Sequence, residues 1–403
     1  MRRLAAVGVL AIAVSGCGGS APTAQRVVSL HAPQCTTVAR PGTPLTGVTT
    51  RLEPVGPTPF GVVTAPGGGW SFVSSPGSGV SVLSDATFPP HLVRRVSLPR
   101  ADVTVGAALT PDGRYLLAAD RGGAVVLSVA ALQEGGSHPV LGVMQPSGRE
   151  GGGAIEVIAS PDGRYAFVTL EGAGEVAVFD LHRALASGFR GSGFVGYIRV
   201  GIAPVGMAIS PDGRRLYVTS EIEGGARLGG PALRGTQGTL TVIDLHRGEV
   251  DPASAVVTTV TAGCEPVRVT VSPDGRTVWV TARASDRLLG FDAARLTGSR
   301  PGNALVADVP VGEAPVGLAL VDGGKLIVVA DSNRFDARGA HAALTVVSTT
   351  RALAGKSAVL GSLPAGGFPR EMSLEPGGDT LLVTNFISGQ LEAVDVGEIH
   401  GPG

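Results

Sequence analysis

ISPDGRRLYVTS, residues 209–220, is a phrase that this chain repeats. It returns as LTPDGRYLLAAD at 109–120, ASPDGRYAFVTL at 159–170 and VSPDGRTVWVTA at 271–282. Weaker copies are TAPGGGWSFVSS at 64–75, LVDGGKLIVVAD at 320–331, one residue shorter before its turn, and LEPGGDTLLVTN at 374–385. Aligned on Gly67, Asp112, Asp162, Asp212, Asp274, Asp322 and Gly377, the copies lie 45, 50, 50, 62, 48 and 55 residues apart. Units of that size, each a small sheet unable to bury its own faces, predict an all-β, seven-bladed β-propeller with four-stranded antiparallel blades.

Each unit has a readable plan. Before the phrase stands a segment such as APVGMAIS (203–210), apolar at every second place as a half-buried strand requires; this is strand A. Pro-Asp-Gly then supplies a tight turn, with proline presetting φ, aspartate bonding its own backbone and glycine accepting positive φ. A β-branched and aromatic run such as RLYVTS is strand B, and a run ending in aspartate, LTVIDL (240–245) or VAVFDL (176–181), is strand C. A looser run such as YIRVG or LVADVPVG is strand D. The last unit stops after strand C, at QLEAVDV (390–396). TTRLEPVG (49–56), standing before the first strand A, is therefore expected to complete the last blade and close the ring, which removes both exposed sheet edges.

The repeated SPDGRRLYVTS, with its partner LLVTN ending at Asn385, resembles the YVTN β-propeller repeat family, and the resemblance covers roughly residues 49–396. That family and its relatives include surface and binding proteins as well as proteins described as lactonase-like. The resemblance implies the fold and leaves the activity open.

The ends organise the rest. Arg2 and Arg3 precede an apolar run, residues 4–14, too short to span a bilayer but suited to a signal peptide. It ends in Val14-Ser15-Gly16-Cys17, which resembles the bacterial lipobox and implies diacylation of Cys17. The expected order is a lipoprotein signal at 1–17, a flexible Gly-, Ser-, Thr- and Pro-rich tether at 18–48, the propeller at 49–396 and a tail at 397–403. The mature chain then keeps Cys35 and Cys264, either as free thiols or as one disulfide, which an oxidising compartment favours.

Net charge is −1, from 32 basic and 33 acidic residues without long runs, so no nucleic-acid footprint exists. The seven histidines form no metal-ligand spacing; His182 and His246 recur in FDLHR and IDLHR as repeated turn residues. No haem-attachment run and no complete serine nucleophile elbow is present, and no cofactor or metal is expected.

Overlaying the strand A segments singles out one register. Two places after the usual proline stand Gly61, Gly106, Glu156, Gly206, Arg268, Gly317 and Glu371, flanked by positions read as apolar packing. Strand A lies innermost, so Glu156, Arg268 and Glu371 are expected near the mouth of the central channel, where such folds commonly take ligands. They read either as an ion-balanced rim or as a ligand-facing trio. Two long loops from strand B to strand C, 221–238 and 332–343, fall on the same face, and Asp331, Asn333, Arg334, Asp336 and Asn385 are expected to add polar groups there.

Two functions follow. The first is an exported, membrane-anchored monomer acting as a scaffold for a small polar ligand, a glycan or a protein. The second is a lactonase-like hydrolase using Glu156, Glu371 and Arg268 in acid–base work. The anchor is separately testable: labelled palmitate is expected to enter the wild-type chain and not Cys17→Ser, and equal labelling of both would remove it.

Overall fold

A computed structural model describes residues 27–30, 35–36, 39–98, 105–136, 138–146, 151–222 and 237–335, and 341–399. Cys17 and the remainder of the signal segment lie outside these, as does Asp336. Seven sheets stand in a ring, and the first strands of successive sheets touch one another, which places every strand A at the centre. Blade 1 runs from A at Val62–Thr64 through Trp70–Ser75 and Gly79–Ser84 to D at His91–Val96. The other blades repeat that antiparallel order.

The last blade has strand A at Pro369–Leu374, B at Thr380–Asn385 and C at Gln390–Asp395. Its fourth strand is Thr50–Pro54, paired antiparallel to C in the register Thr50 to Val394 through Pro54 to Gln390. The ring thus closes with the N-terminal strand. It covers the free edge of strand C in the last blade and takes the outermost place that strand D holds in the other blades.

Four joints between adjacent blades share one hydroxyl at a repeated place in strand B, that of Ser74, Thr219, Thr281 or Thr384. Thr219 Oγ1 accepts the Gly206 N–H of its own strand A at 3.1 Å and donates to Val267 O of the next blade's strand A at 2.7 Å. Thr281 links Arg268 N–H to Val316 O, and Ser74 links Gly61 N–H to Val105 O. At the seam Thr384 accepts from Glu371 N–H at 3.0 Å and donates to Phe60 O at 2.8 Å. Around these links lie apolar sheets; Phe72, Phe167, Phe179, Trp279 and Phe291 are among the largest side chains fully buried between blades.

The Pro-Asp-Gly turn is built as its residues dictate. Asp212 Oδ1 accepts the Ser210 hydroxyl at 2.5 Å and the Arg214 N–H at 3.1 Å, and the Asp112, Asp162 and Asp274 turns repeat this. The residue ending strand C does more than finish a strand. Asp180, Asp244 and Asp292 each accept a backbone N–H three residues on, capping short helices at Leu181–Ala186, Leu245–Val250 and Ala293–Leu296. Ser128 and Ser348 do the same for Val129–Glu134 and Thr349–Leu353. His182 and His246 are therefore exposed helix residues on different blades, not turn residues.

The stretch read as a flexible tether is fastened to the blades at several of its described points, though most of its described residues are exposed. Val27–Val28 adds a fifth strand, parallel, to the outer edge of blade 4, pairing with Thr259 and Val260. Cys35 and Cys264 are joined by a disulfide with Cα atoms 5.4 Å apart. The chain then crosses blades 5 and 6, with Ala39 N–H on Asp286, Arg40 N–H on Val311 O and Leu45 N–H on Ser362 O, before entering the closing strand. Composition suggested freedom because small polar residues lack a hydrophobic period; unpaired backbone groups at the blade edges bind them instead.

Replacing Thr384 by valine keeps the shape and strands the Phe60 carbonyl and Glu371 N–H at the seam. Urea denaturation is expected to show a loss of about 1–3 kcal/mol. An unchanged midpoint would show that closure depends on the outer strand alone.

Candidate functional site at the channel mouth

The register that carries the charges is shaped by backbone proximity. A Cβ on Gly106 would meet Ile155 O at 2.6 Å, one on Gly206 would meet Val267 O at 2.3 Å, and one on Gly317 would meet Arg370 O at 2.1 Å. Glycine stands in those blades because the next strand A leaves no room. The charged blades are 3, 5 and 7, and each is followed around the ring by a glycine blade.

Glu156, Arg268 and Glu371 meet. Arg268 Nε donates to Glu371 Oε1 at 2.6 Å, Nη2 donates to the same oxygen, and Nη1 donates to Val205 O at 3.1 Å. Glu156 Oε2 lies 3.9 Å from Arg268 Nε and accepts the Met207 N–H at 3.1 Å. Arg268 is only 5% exposed, and the two glutamate side chains about one-fifth. The trio cross-braces blades 3, 5 and 7. Burial raises the Glu156 carboxyl to about 8 despite the pull of Arg268, with Glu371 pushing the same way. Burial opposes the charge on Arg268, but Glu371 and Glu156 outweigh it and push its pKa further up.

The loops above add a second layer. Arg283, buried, donates through Nε at 3.0 Å and Nη2 at 2.8 Å to Glu265, and its Nη2 lies 3.1 Å from Glu221. Glu265 is held at φ 49°, and the corresponding residues before strand A, Thr58, Ala203, Ala314 and Phe368, are also left-handed. Such backbone costs about 1–3 kcal/mol per residue, and in each of these blades the next residue is the proline that opens the strand A register. Glu171 is raised by burial and by the charge of Glu221.

Arg370 is the functional candidate that the sequence overlay passes over. It stands one place before Glu371, where the other blades carry Phe60, Val105, Ile155, Val205, Val267 and Val316, so the flanking position is not apolar in blade 7. The valines there form a plug, with Ile155 packed against Val205, Val267 and Val316. The Arg370 guanidinium instead lies 3.6 Å above the Phe60 ring, with Phe386 at 5.7 Å and Phe368 at 5.8 Å. Burial and the neighbouring charge of Arg268 push it down to about 9, so it remains a cation at neutral pH. The signal that could have found it is its being the only charged residue at its register.

The remaining expected residues divide. Arg334 is at the mouth, 5.9 Å from the Phe368 ring, its pKa lowered by burial and by Arg283. Asn333 shapes the loop there, with φ 50° and its N–H on Glu313 O. Asp331 and Asn385 are fully buried inside blades 6 and 7, not presented on the face. Strand alternation turns them the opposite way from the neighbouring linking position, toward strand C: Asp331 accepts the Thr345 hydroxyl at 2.5 Å, and Asn385 donates to Glu392 at 3.0 Å. Burial raises the Asp331 carboxyl well above the usual range.

Open clefts also occur on the opposite face, between successive Pro-Asp-Gly turns. The one between blades 2 and 3, about 750 Å³, is lined by Arg114, Tyr115, Asp162, Arg164 and His182. A counterpart of about 540 Å³ separates blades 4 and 5. Their aspartates are already engaged by the turns, so the clefts read as a product of the repeat.

The Glu156 pKa has a consequence for stability. Its folded value lies above the ordinary 4.5, so the folded chain holds an extra proton between those limits. That stability is complete below about pH 4.5 and is lost as pH rises toward 8, at up to about 1.4 kcal/mol per pH unit. Glu156→Gln is expected to flatten this decline in urea midpoints between pH 5 and 8. Parallel profiles for the two proteins would contradict the shift.

Residues 156–338 match the sequence profile of a family described as Lactonase, 7-bladed beta-propeller, under half of the 403-residue chain. No curated protein matches. Among solved structures, hydrazine synthase of Kuenenia stuttgartiensis is similar, with a TM-score of 0.65 and 17% identity over 87% of this chain and 98% of that chain. At that identity the likeness concerns the fold alone.

Proposed function

We propose that this protein is an exported propeller, held to the cell membrane or envelope by acyl chains on Cys17, whose upper channel mouth binds a small polar ligand. The observation that carries the reading is the different condition of neighbouring charges. Arg268 and Arg283 are satisfied by glutamates of the protein, whereas Arg370, whose pKa their charges lower, is held by aromatic rings instead. A rim serving only charge balance has no need of that last cation. Glycan or protein partners would use the same face, where the long loops of blades 4 and 6 begin.

A second reading, a lactonase-like hydrolase, draws support from the profile match and from Glu156, whose proton is available at neutral pH. Against it stands the engagement of Glu371, whose Oε1 is already occupied by two N–H groups of Arg268. The discriminating measurement is hydrolysis of a panel of sugar lactones by the purified full chain and by Glu371→Gln. The binding reading expects no turnover above background from either. Turnover lost on Glu371→Gln would establish the hydrolase and its site; turnover unchanged by the substitution would establish a hydrolase that works elsewhere.

A further inference from the structure

We propose that Arg370, completed by Arg334, forms an oxyanion site for a small organic monocarboxylate with a flat apolar body. This names the ligand class of the binding reading above and rests on it. The Nε of Arg370 is buried and meets no acceptor, and among the described residues no carboxylate pairs with this guanidinium. Its contacts are the Phe60, Phe368 and Phe386 rings, with Phe386 edge-on to Phe60 at 6.3 Å and tilted against Phe368 at 5.8 Å. Ring faces return part of the cost of removing a cation from water, but they provide no hydrogen-bond acceptors. Arg334 lies against the same Phe368 ring and, among the described residues, forms no ion pair. Two guanidiniums on one ring therefore leave unfilled donors, whereas the other two arginines of the mouth, Arg268 and Arg283, are filled.

A guanidinium fork matches the two oxygens of a carboxylate or phosphate. The surrounding glutamates favour the smaller charge. Glu171, Glu221, Glu265 and Glu371 all act on these arginines, so a dianion would meet repulsion that a single carboxylate largely escapes. The apolar body has its counterpart in the three phenylalanines and in Ile387, which is 74% exposed beside Phe386.

The experiment is calorimetric titration of the detergent-purified full chain with benzoate, its neutral analogue benzamide, and inorganic phosphate. Benzoate is expected to bind and benzamide not. Arg370→Gln is expected to weaken benzoate about tenfold or more without lowering the Tm, because a structural cation would lower it and an unfilled one does not. Arg334→Gln, at an exposed position, is expected to weaken benzoate as well. Equal binding of benzoate and benzamide, or benzoate binding indifferent to both substitutions, overturns the proposal. Phosphate binding more tightly than benzoate overturns the choice of a carboxylate. A neutral solute that binds independently of Arg370 defeats this inference and leaves the broader binding reading standing; lactone turnover defeats the broader reading itself.

Discussion

One hydroxyl, repeated near the end of strand B, holds the ring together. At four of the seven joints it accepts the N–H of its own strand A and donates to the carbonyl of the next, so those innermost strands are fixed to their neighbours by a group from a third strand. Strand A has no sheet partner on its channel side, and its carbonyls there would otherwise be unsatisfied in a crowded interior. At the seam Thr384 makes the same link to Phe60, across more than three hundred residues of sequence. The outer closing strand at Thr50–Pro54 and the inner hydroxyl therefore seal the same joint from opposite sides. In blades 2 and 6 the position is Ala119 and Ala330, and the joint after blade 2 is bridged instead by the Gly106 N–H on Ile155 O at 2.8 Å, while in blade 3 the Thr169 hydroxyl turns back to Glu156 O of its own strand A at 3.5 Å.

That tight centre governs what the channel mouth can contain. Strands close enough to share a hydroxyl leave no space for a Cβ at Gly106, Gly206 or Gly317, and a side chain is admitted only where the next blade is glycine. The result is a bracing trio inside and a second layer of arginines and glutamates on the loops above. Burial gives these charges their character. Glu156 keeps its proton to about pH 8, Arg268 is fixed as a cation by two carboxylates, and Arg370 is a cation supported by rings.

Much of the site was within reach of the sequence, for a reason specific to repeats. Seven copies give an internal alignment, and departures from it, Glu156, Arg268 and Glu371 among glycines, mark places where packing did not choose the residue. The same comparison one column earlier contained Arg370 among Phe60, Ile155 and the valines. Asp331 and Asn385 misled because they close strand B beside the loops in sequence, whereas alternation turns them into the blade. Glu221 and Arg283 were also within reach, since both stand one place after the repeated phrase, as Arg121 and Glu171 do, and Glu265 shares the register of Thr58, Ala203, Ala314 and Phe368.

The sequence by itself determined the number of blades, the order of strands in each, and the need for residues 49–56 to complete the last one, because period, turn chemistry and a missing strand are all local or countable. The tertiary structure alone decided which charges neutralise one another, because Glu156, Arg268 and Glu371 are brought together only when blades 3, 5 and 7 face a common axis. It likewise decided that the segment before the closing strand lies along blades 4 to 6, where edge carbonyls and a thiol wait for partners no composition could name. Arg370 belongs to both accounts: its oddness was written in the repeat, but only the folded chain gathers three rings from two blades around it, with no carboxylate paired to it among the described residues.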